Sequence, residues 1–252
     1  MDQAQLLAWT NAGNRVELAA DKPALFEAWG YRWISSPGDA VQTAMQIAAP
    51  QRLVLENHRA MLLAALLPSS IGTVLDLGMG GAACLRHISA VYPRAKITAV
   101  ELDVSMLQLA REFFALPASQ AVHIDDAATF LVRDSQYYDL VLCDVFAGRE
   151  TPLALQTPEF YALLSSRLRN GAAVALNTLP ESRQMLTNIL QAAKATFSGI
   201  GIIQFEALGN VVLLLQQRTL PSASALADRL ACSAYASDLA AKALLDRLLR
   251  FE

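Results

Sequence analysis

A glycine-rich turn and a spaced series of acids are the residues of this chain that could do chemistry. The turn is Asp76-Leu-Gly-Met-Gly-Gly81. Gly78 and Gly80 would let the backbone approach a ligand and bend into a helix whose first amides face it. It is not the GxGxxG dinucleotide fingerprint, because Gly80-Gly81 is followed by Ala82 and Ala83. About 20 residues on stands Val100-Glu-Leu-Asp103. A carboxylate such as Glu101 at a strand tip can accept both hydroxyls of a ribose, or else cap the next helix, the role that suits Asp103. About 25 residues further, His123-Ile-Asp-Asp-Ala127 offers Asp125 and Asp126 to an adenine amino group or to a helix end. About 20 further, Asp144 leaves an apolar run, where an acid is costly unless solvated, paired or used. No single one of these is decisive. Their order is informative, because an NAD-binding fold would not need the third and fourth acids.

The elements that must position them form an alternating series. Seven short apolar runs read as strands: 73–77, 96–100, 121–124, 138–143, 172–177, 200–205 and 210–216. Helical spacing lies between them at 82–91, 105–114, 127–132, 157–168 and 181–196, and again at 222–250, in one or two pieces. Thr157-Pro158 is placed as N-cap and first helical residue, and Asn170-Gly171 as the helix end. Alternation of this kind implies an α/β fold with a doubly wound, seven-stranded, mostly parallel sheet. Ligands bind such sheets beyond the carboxyl ends of the strands, where the acids lie. Upstream, 15–20, 24–29 and 31–35 read as strands joined by turns at Asp21-Lys-Pro23 and Ser36-Pro-Gly-Asp39, a small β-hairpin unit. Residues 52–67 read as a helix stopped by Pro68. The expected division is 1–50 for the hairpin unit and 51–252 for the large domain.

Composition narrows the function classes. Of the 252 residues, 54% are hydrophobic and 17% charged, the opposite of a disordered chain. The mean hydropathy of +0.32 raises the question of a membrane span. No apolar run approaches the roughly 18 residues a span requires, and the first residues lack a signal-peptide pattern. A cytoplasmic protein is expected, with either an unusually apolar core or an apolar surface that a homodimer would bury. The net charge of −3, with no basic cluster, argues against a nucleic-acid partner. Cys84, Cys143 and Cys232 form no CxxC pair and are expected to be buried free thiols. His58, His87 and His123 lack ligand spacing, so no metal is expected.

VLDLGMGGA, ITAVELD, IDDAATFL, YDLVLCDVF and TPEFYALLSSRLRNGAAVALN resemble, in order, segments of spermidine synthase-like proteins. So do GDAVQTAM upstream and the closing GNVVLLL. The resemblance covers residues about 30 to 216 and implies the class I methyltransferase fold with an adenosyl-nucleoside site. By position, Glu101 would hold the ribose, Asp126 the adenine amino group, and Gln42 would lie near the nucleoside or its tail. Asp144 matches the first acid of the family's DSSDP segment, which handles the attacking amine.

Two departures bear on the reaction. Aminopropyltransferases carry an Asp in a GGGDGG loop, facing the cationic end of decarboxylated S-adenosylmethionine; this loop has none. They carry a second Asp in DSSDP; here the segment is Asp144-Val-Phe-Ala147. The resemblance implies aminopropyl transfer to a small-molecule amine acceptor, but the two missing acids make putrescine a poor one. The departures leave open methyl transfer from S-adenosylmethionine itself, or a non-catalytic binding protein.

Overall fold

The structure, a computed structural model, describes residues 3–11, 15–16, 24–36, 40–146, 150–205, 209–236 and 238–251. Helix α1 (Gln3–Asn11) precedes strands β1 (Arg15–Val16), β2 (Ala24–Ala28), β3 (Tyr31–Ser36) and β4 (Ala40–Gln46). These four form an antiparallel sheet in chain order, larger than the hairpin unit expected. The expected turn at 21–23 and most of that at 36–39 lie outside the described residues. Strand β4 was not anticipated: its register against β3 shifts between Ile34 and Ser35, which breaks simple alternation.

Helix α2 (Glu56–Met61) runs into a 3-10 turn at Leu62–Leu66, shorter than the helix expected over 52–67. Leu55, at its N-cap, supplies no side-chain hydrogen bond. The alternating region follows: β5 (Thr73–Leu77), α3 (Ala83–Val91), β6 (Lys96–Glu101), α4 (Val104–Phe113), β7 (Val122–Ile124), α5 (Ala127–Arg133) and β8 (Tyr138–Cys143). Then come α6 (Pro158–Ser166), β9 (Leu168–Thr178), α7 (Arg183–Lys194), β10 (Gly199–Gln204), β11 (Val211–Gln216), α8 (Ala223–Ala231), α9 (Leu239–Asp246) and β12 (Leu249–Arg250). The large sheet therefore has eight strands rather than seven, in the order β12-β10-β11-β9-β8-β5-β6-β7. The tail expected to be helical to 250 ends as β12 on the β10 edge, pairing Ile202 with Leu249. Strand β9 begins at Leu168, before Gly171, because Tyr138 pairs with Leu168.

The five strands from β9 to β7 run parallel, and β11, β10 and β12 run antiparallel. The central strands bury both faces, while the edge strands β7 and β12 are largely exposed. Val74, Leu140, Leu142, Ala173 and Ala175 face α2, the 3-10 turn, α8 and α9. Their neighbours Leu75, Leu77, Val141, Cys143, Val174 and Leu176 face α5, α6 and α7. This is the period-two alternation of a sheet covered on both sides. The small sheet joins the large one through a shared cluster in which Leu25, Ile34 and Met45 pack on Met106 and Leu109 of α4 and on Phe114 just beyond it. Cys84 and Cys143 are buried, while Cys232 is exposed, contrary to expectation, because it ends α8 at the surface. Among the described residues no helix is long and apolar enough to cross a membrane.

Candidate functional site

After β5 the chain adds β6 and β7 on one side, then returns to lay β8 on the other. The switch point therefore lies between the tips of β5 and β8, where open α/β sheets bind ligands. It is built on a glycine. Gly78 has φ +75°, and a Cβ there would stand 2.4 Å from the carbonyl oxygen of Asp144. The Asp144 amide donates to Leu77 O at 2.9 Å, so loop and acid are held against each other. Gly80, at φ +53°, turns its amide onto Glu101 Oε2 at 2.7 Å. Glu101 Oε1 accepts the Asp103 amide at 3.0 Å. The Glu101 carboxylate is thus pinned across the tips of β5 and β6, with lone pairs left for further donors. Asp103 caps α4 through the Ser105 amide at 2.7 Å, as its sequence position suggests.

The far side of the loop is sealed by the small sheet. A Cβ on Gly81 would strike the Thr43 side chain at 2.4 Å. Gln42, beside Thr43 on β4, is exposed. Arg86 anchors the loop from below. Its Nη1 donates to Gly81 O and, at 2.7 Å, to Phe114 O, and its Nε donates to Pro50 O at 2.8 Å. One buried guanidinium therefore ties the glycine loop, the end of α4 and the segment after β4. Burial without a carboxylate partner lowers its pKa to about 10.

Asp144 sits in a polar network on the α2 side of the sheet. Asn177 Nδ2 donates to Asp144 Oδ1 at 2.7 Å, and His58 Nε2 lies 3.1 Å from Oδ2. Asn210 Nδ2 extends the chain to Asn177 Oδ1 at 3.1 Å. Asp76, on the same face of β5, is 2% exposed, and its Oδ2 has no hydrogen-bond partner among the described residues. Burial, then the charges of Asp144 and Glu101, push its pKa up to about 7.

Of the residues marked in the sequence, Gly78, Gly80, Glu101 and Asp144 converge at the switch point. Asp125 and Asp126 follow the tip of β7. Asp126 Oδ1 caps α5 through the Thr129 amide at 2.9 Å, and Asp125 pairs with Arg133. Between Glu101 and this pair, Leu102 and Ile124 expose 64% and 45% of their surfaces, leaving an apolar rim. Ala147 lies outside the described residues. His58, Asn177 and Asp76 were not singled out for the site. Asp76 interrupts the apolar run VLDL, and the amide Asn177 ends a strand run as the site acids do, so both carried a signal. His58 carried none, because only the packing of α2 brings it to Asp144. Among the described residues no group of three or more His, Cys, Asp or Glu side chains is placed to hold a metal ion.

A family profile described as "Methyltransferase domain" matches residues 74–167, from β5 into α6. Among solved structures, a probable spermidine synthase from Corynebacterium glutamicum superposes with a TM-score of 0.67 at 23% identity, over 87% of each chain. Human methyltransferase-like protein 13, in complex with SAH, gives 0.64 at 22% identity over 78% of this chain and 95% of that one. This chain has the spermidine synthase-like, class I methyltransferase fold. Sequence relatives include a polyamine aminopropyltransferase of Vibrio vulnificus, 27% identical over 80% of this chain and 71% of its own. A probable polyamine aminopropyl transferase of Bifidobacterium longum is 29% identical over 46% of this chain and 26% of its own. The eEF1A lysine and N-terminal methyltransferase of Bos taurus is 27% identical over 65% and 26%. The matched segment thus spans about a quarter of the length of the last two relatives. Spermidine synthase-like architecture accounts for the mostly parallel sheet and for the sequence motifs that mark its strand tips.

Proposed function

We propose that this chain is a transferase that binds an adenosyl nucleoside over the tips of β5 and β6 and moves an aminopropyl group from decarboxylated S-adenosylmethionine to an amine. The observation that carries this reading is the switch-point arrangement: Glu101 tied to the Gly80 amide, beside Asp144 held by Asn177 and His58. Glu101 accepts the ribose hydroxyls with its remaining lone pairs. Leu102 and Ile124 offer apolar surface to the base, and Asp126, or its neighbour Asp125, accepts the adenine amino group. Gln42 lies at the tail. Asp144 orients the acceptor nitrogen and takes its proton as the N–C bond forms and the C–S bond breaks, the electron pair passing to sulfur. The aminopropyltransferase names of two relatives support this reading.

A second reading, methyl transfer from intact S-adenosylmethionine to an amine, is favoured by one feature. The loop residues Met79, Gly80 and Gly81 carry no acid to repel the methionine carboxylate. The eEF1A methyltransferase relative and the SAH-bound neighbour support it. Titration calorimetry with decarboxylated and intact S-adenosylmethionine and with methylthioadenosine, followed by mass spectrometry of turnover with amines, separates the two. The expected outcome is binding of both sulfonium compounds within about tenfold of each other, since the repulsion that a loop acid would supply, on the order of 4 kcal/mol before screening, is missing. Putrescine should be a poor acceptor, because Ala147 replaces the second acid that would hold its far ammonium. Turnover of putrescine near 1 s⁻¹, within the ordinary enzyme range, would contradict that. Failure of a folded sample to bind any of the three would remove both readings.

A further inference from the structure

The geometry points to His58 as a positioning residue for Asp144, an inference that rests on the role proposed for that acid. His58 lies on α2, is 5% exposed, and holds Nε2 3.1 Å from Asp144 Oδ2. Asn177 occupies the other oxygen at 2.7 Å. Asn177 can only donate through its amide nitrogen, and its own oxygen is engaged by Asn210, so its orientation is fixed. The carboxylate is therefore gripped at both oxygens, by α2 and by β9. It cannot turn about its terminal bond without breaking one contact. An acid that must meet an attacking nitrogen along one direction gains from such a clamp, since a misplacement of about 1 Å can cost roughly 100-fold in rate.

The state of the imidazole follows from its surroundings. A carboxylate oxygen accepts, so Nε2 carries the proton. His58 Nδ1 is buried and has no partner among the described residues. The Nε2–H tautomer leaves Nδ1 as a bare acceptor. The opposite tautomer would set two lone pairs face to face at Nε2 and Asp144 and bury an unpaired N–H as well. A buried polar atom without a partner costs about 1–3 kcal/mol. A purely structural residue at this place could avoid that cost by being apolar, as Leu62 and Leu63 are on the segment that follows. What an apolar side chain could not do is donate to Asp144.

Two variants and one spectrum test this. His58→Ala removes the donor. His58→Gln returns a side-chain N–H of similar reach. With whichever sulfonium donor the wild type turns over, His58→Ala should lower kcat at least tenfold while KM for that donor and calorimetric affinity for methylthioadenosine stay within twofold. His58→Gln should recover most of the lost kcat. Retention of kcat in a folded His58→Ala protein, or a Gln variant no better than Ala, would overturn the positioning role. Nitrogen-15 spectra of the imidazole give a reading that does not depend on turnover. They should show Nε2 protonated and Nδ1 bare, with the Nε2 resonance moving in Asp144→Asn. A protonated Nδ1 with a bare Nε2, or no response to Asp144→Asn, would overturn the inference even in an active enzyme. If the wild type turns over neither donor but the spectra come out as expected, the functional reading fails while the His58–Asp144 clamp stands.

Discussion

At the scale of single residues, the carboxylates at the strand tips divide by environment. Glu101 accepts two backbone amides and faces the loop. Asp126 already spends one oxygen on the end of α5. Charge-assisted hydrogen bonds are worth about 1.5–3 kcal/mol each, so Glu101→Ala and Asp126→Ala should each weaken methylthioadenosine binding about tenfold or more by calorimetry. The Asp126 variant should also lose about 1 kcal/mol of stability with its cap, and Glu101→Ala should lose at least as much, because the Gly80 and Asp103 amides lose their acceptor. Unchanged affinity in both folded variants would remove the nucleoside assignment. Asp76 behaves differently, because burial holds its folded pKa near 7 against an ordinary value of 3.8. Between those values the folded chain keeps a proton that the unfolded chain has released, so stability falls as pH rises from about 4 to 7 and levels off above. The gap bounds the effect at about 4 kcal/mol. Asp76→Asn does not titrate. Its stability relative to wild type should therefore grow across that window in urea titrations, and parallel curves would show that Asp76 is ionised throughout.

At the scale of elements, the loop between β5 and α3 carries two left-handed glycines with different surroundings. Around Gly80 a Cβ would meet nothing within 4 Å; at Gly78 it would meet the Asp144 backbone. Left-handed backbone alone costs a non-glycine residue about 1–2 kcal/mol. Gly80→Ala should cost about that much. Gly78→Ala should cost clearly more and should also displace Asp144, seen as weaker contact to Asn177 in a crystal structure of the variant. Equal costs would mean that the β5 and β8 tips are not pressed together. Arg86 acts on the same loop through three carbonyls. Arg86→Met keeps the length but leaves those carbonyls in the interior, and should destabilise by about 3 kcal/mol or more in chemical unfolding.

At the scale of the whole molecule, the small antiparallel sheet is not an appendage. Leu109 of α4 and Phe114, which ends that helix, are fully buried, packed in one cluster with Leu25, Ile34 and Met45 of the small sheet. Arg32 adds a hydrogen bond to Phe113 O at 2.6 Å. Removing residues 1–46 would bare several large apolar side chains at about 1.5–3 kcal/mol each. It would also take away Thr43, which backs the glycine loop at Gly81. The truncated chain should melt roughly 10 °C or more below the full one and bind a hydrophobic dye. A truncated chain with unchanged melting temperature would show the large sheet to be self-sufficient.

Much of this architecture is written in local patterns. Short apolar runs punctuated by glycine and proline mark β5, β6, β8 and β11 nearly to the residue, because both sheet faces are buried and tolerate nothing else. Asp103 and Thr157 mark helix starts, since a short polar residue, or one before a proline, is favoured at an N-cap. The glycine turn and the acids at strand tips are likewise visible, since the fold places them at set distances along the chain. Other features depend on contacts far apart in sequence. Strand β12 pairs with β10 across some 47 residues, so its helical-looking residues take their conformation from an available sheet edge. His58 meets Asp144 across 86 residues, and Thr43 meets Gly81 across the join of the two sheets. The raised pKa of Asp76 arises from burial beside two other carboxylates, which no spacing rule records. Local propensity and alternation determine which segments become elements. Only packing decides which polar groups share a dehydrated space, and it is there that the surroundings of Asp144 are set.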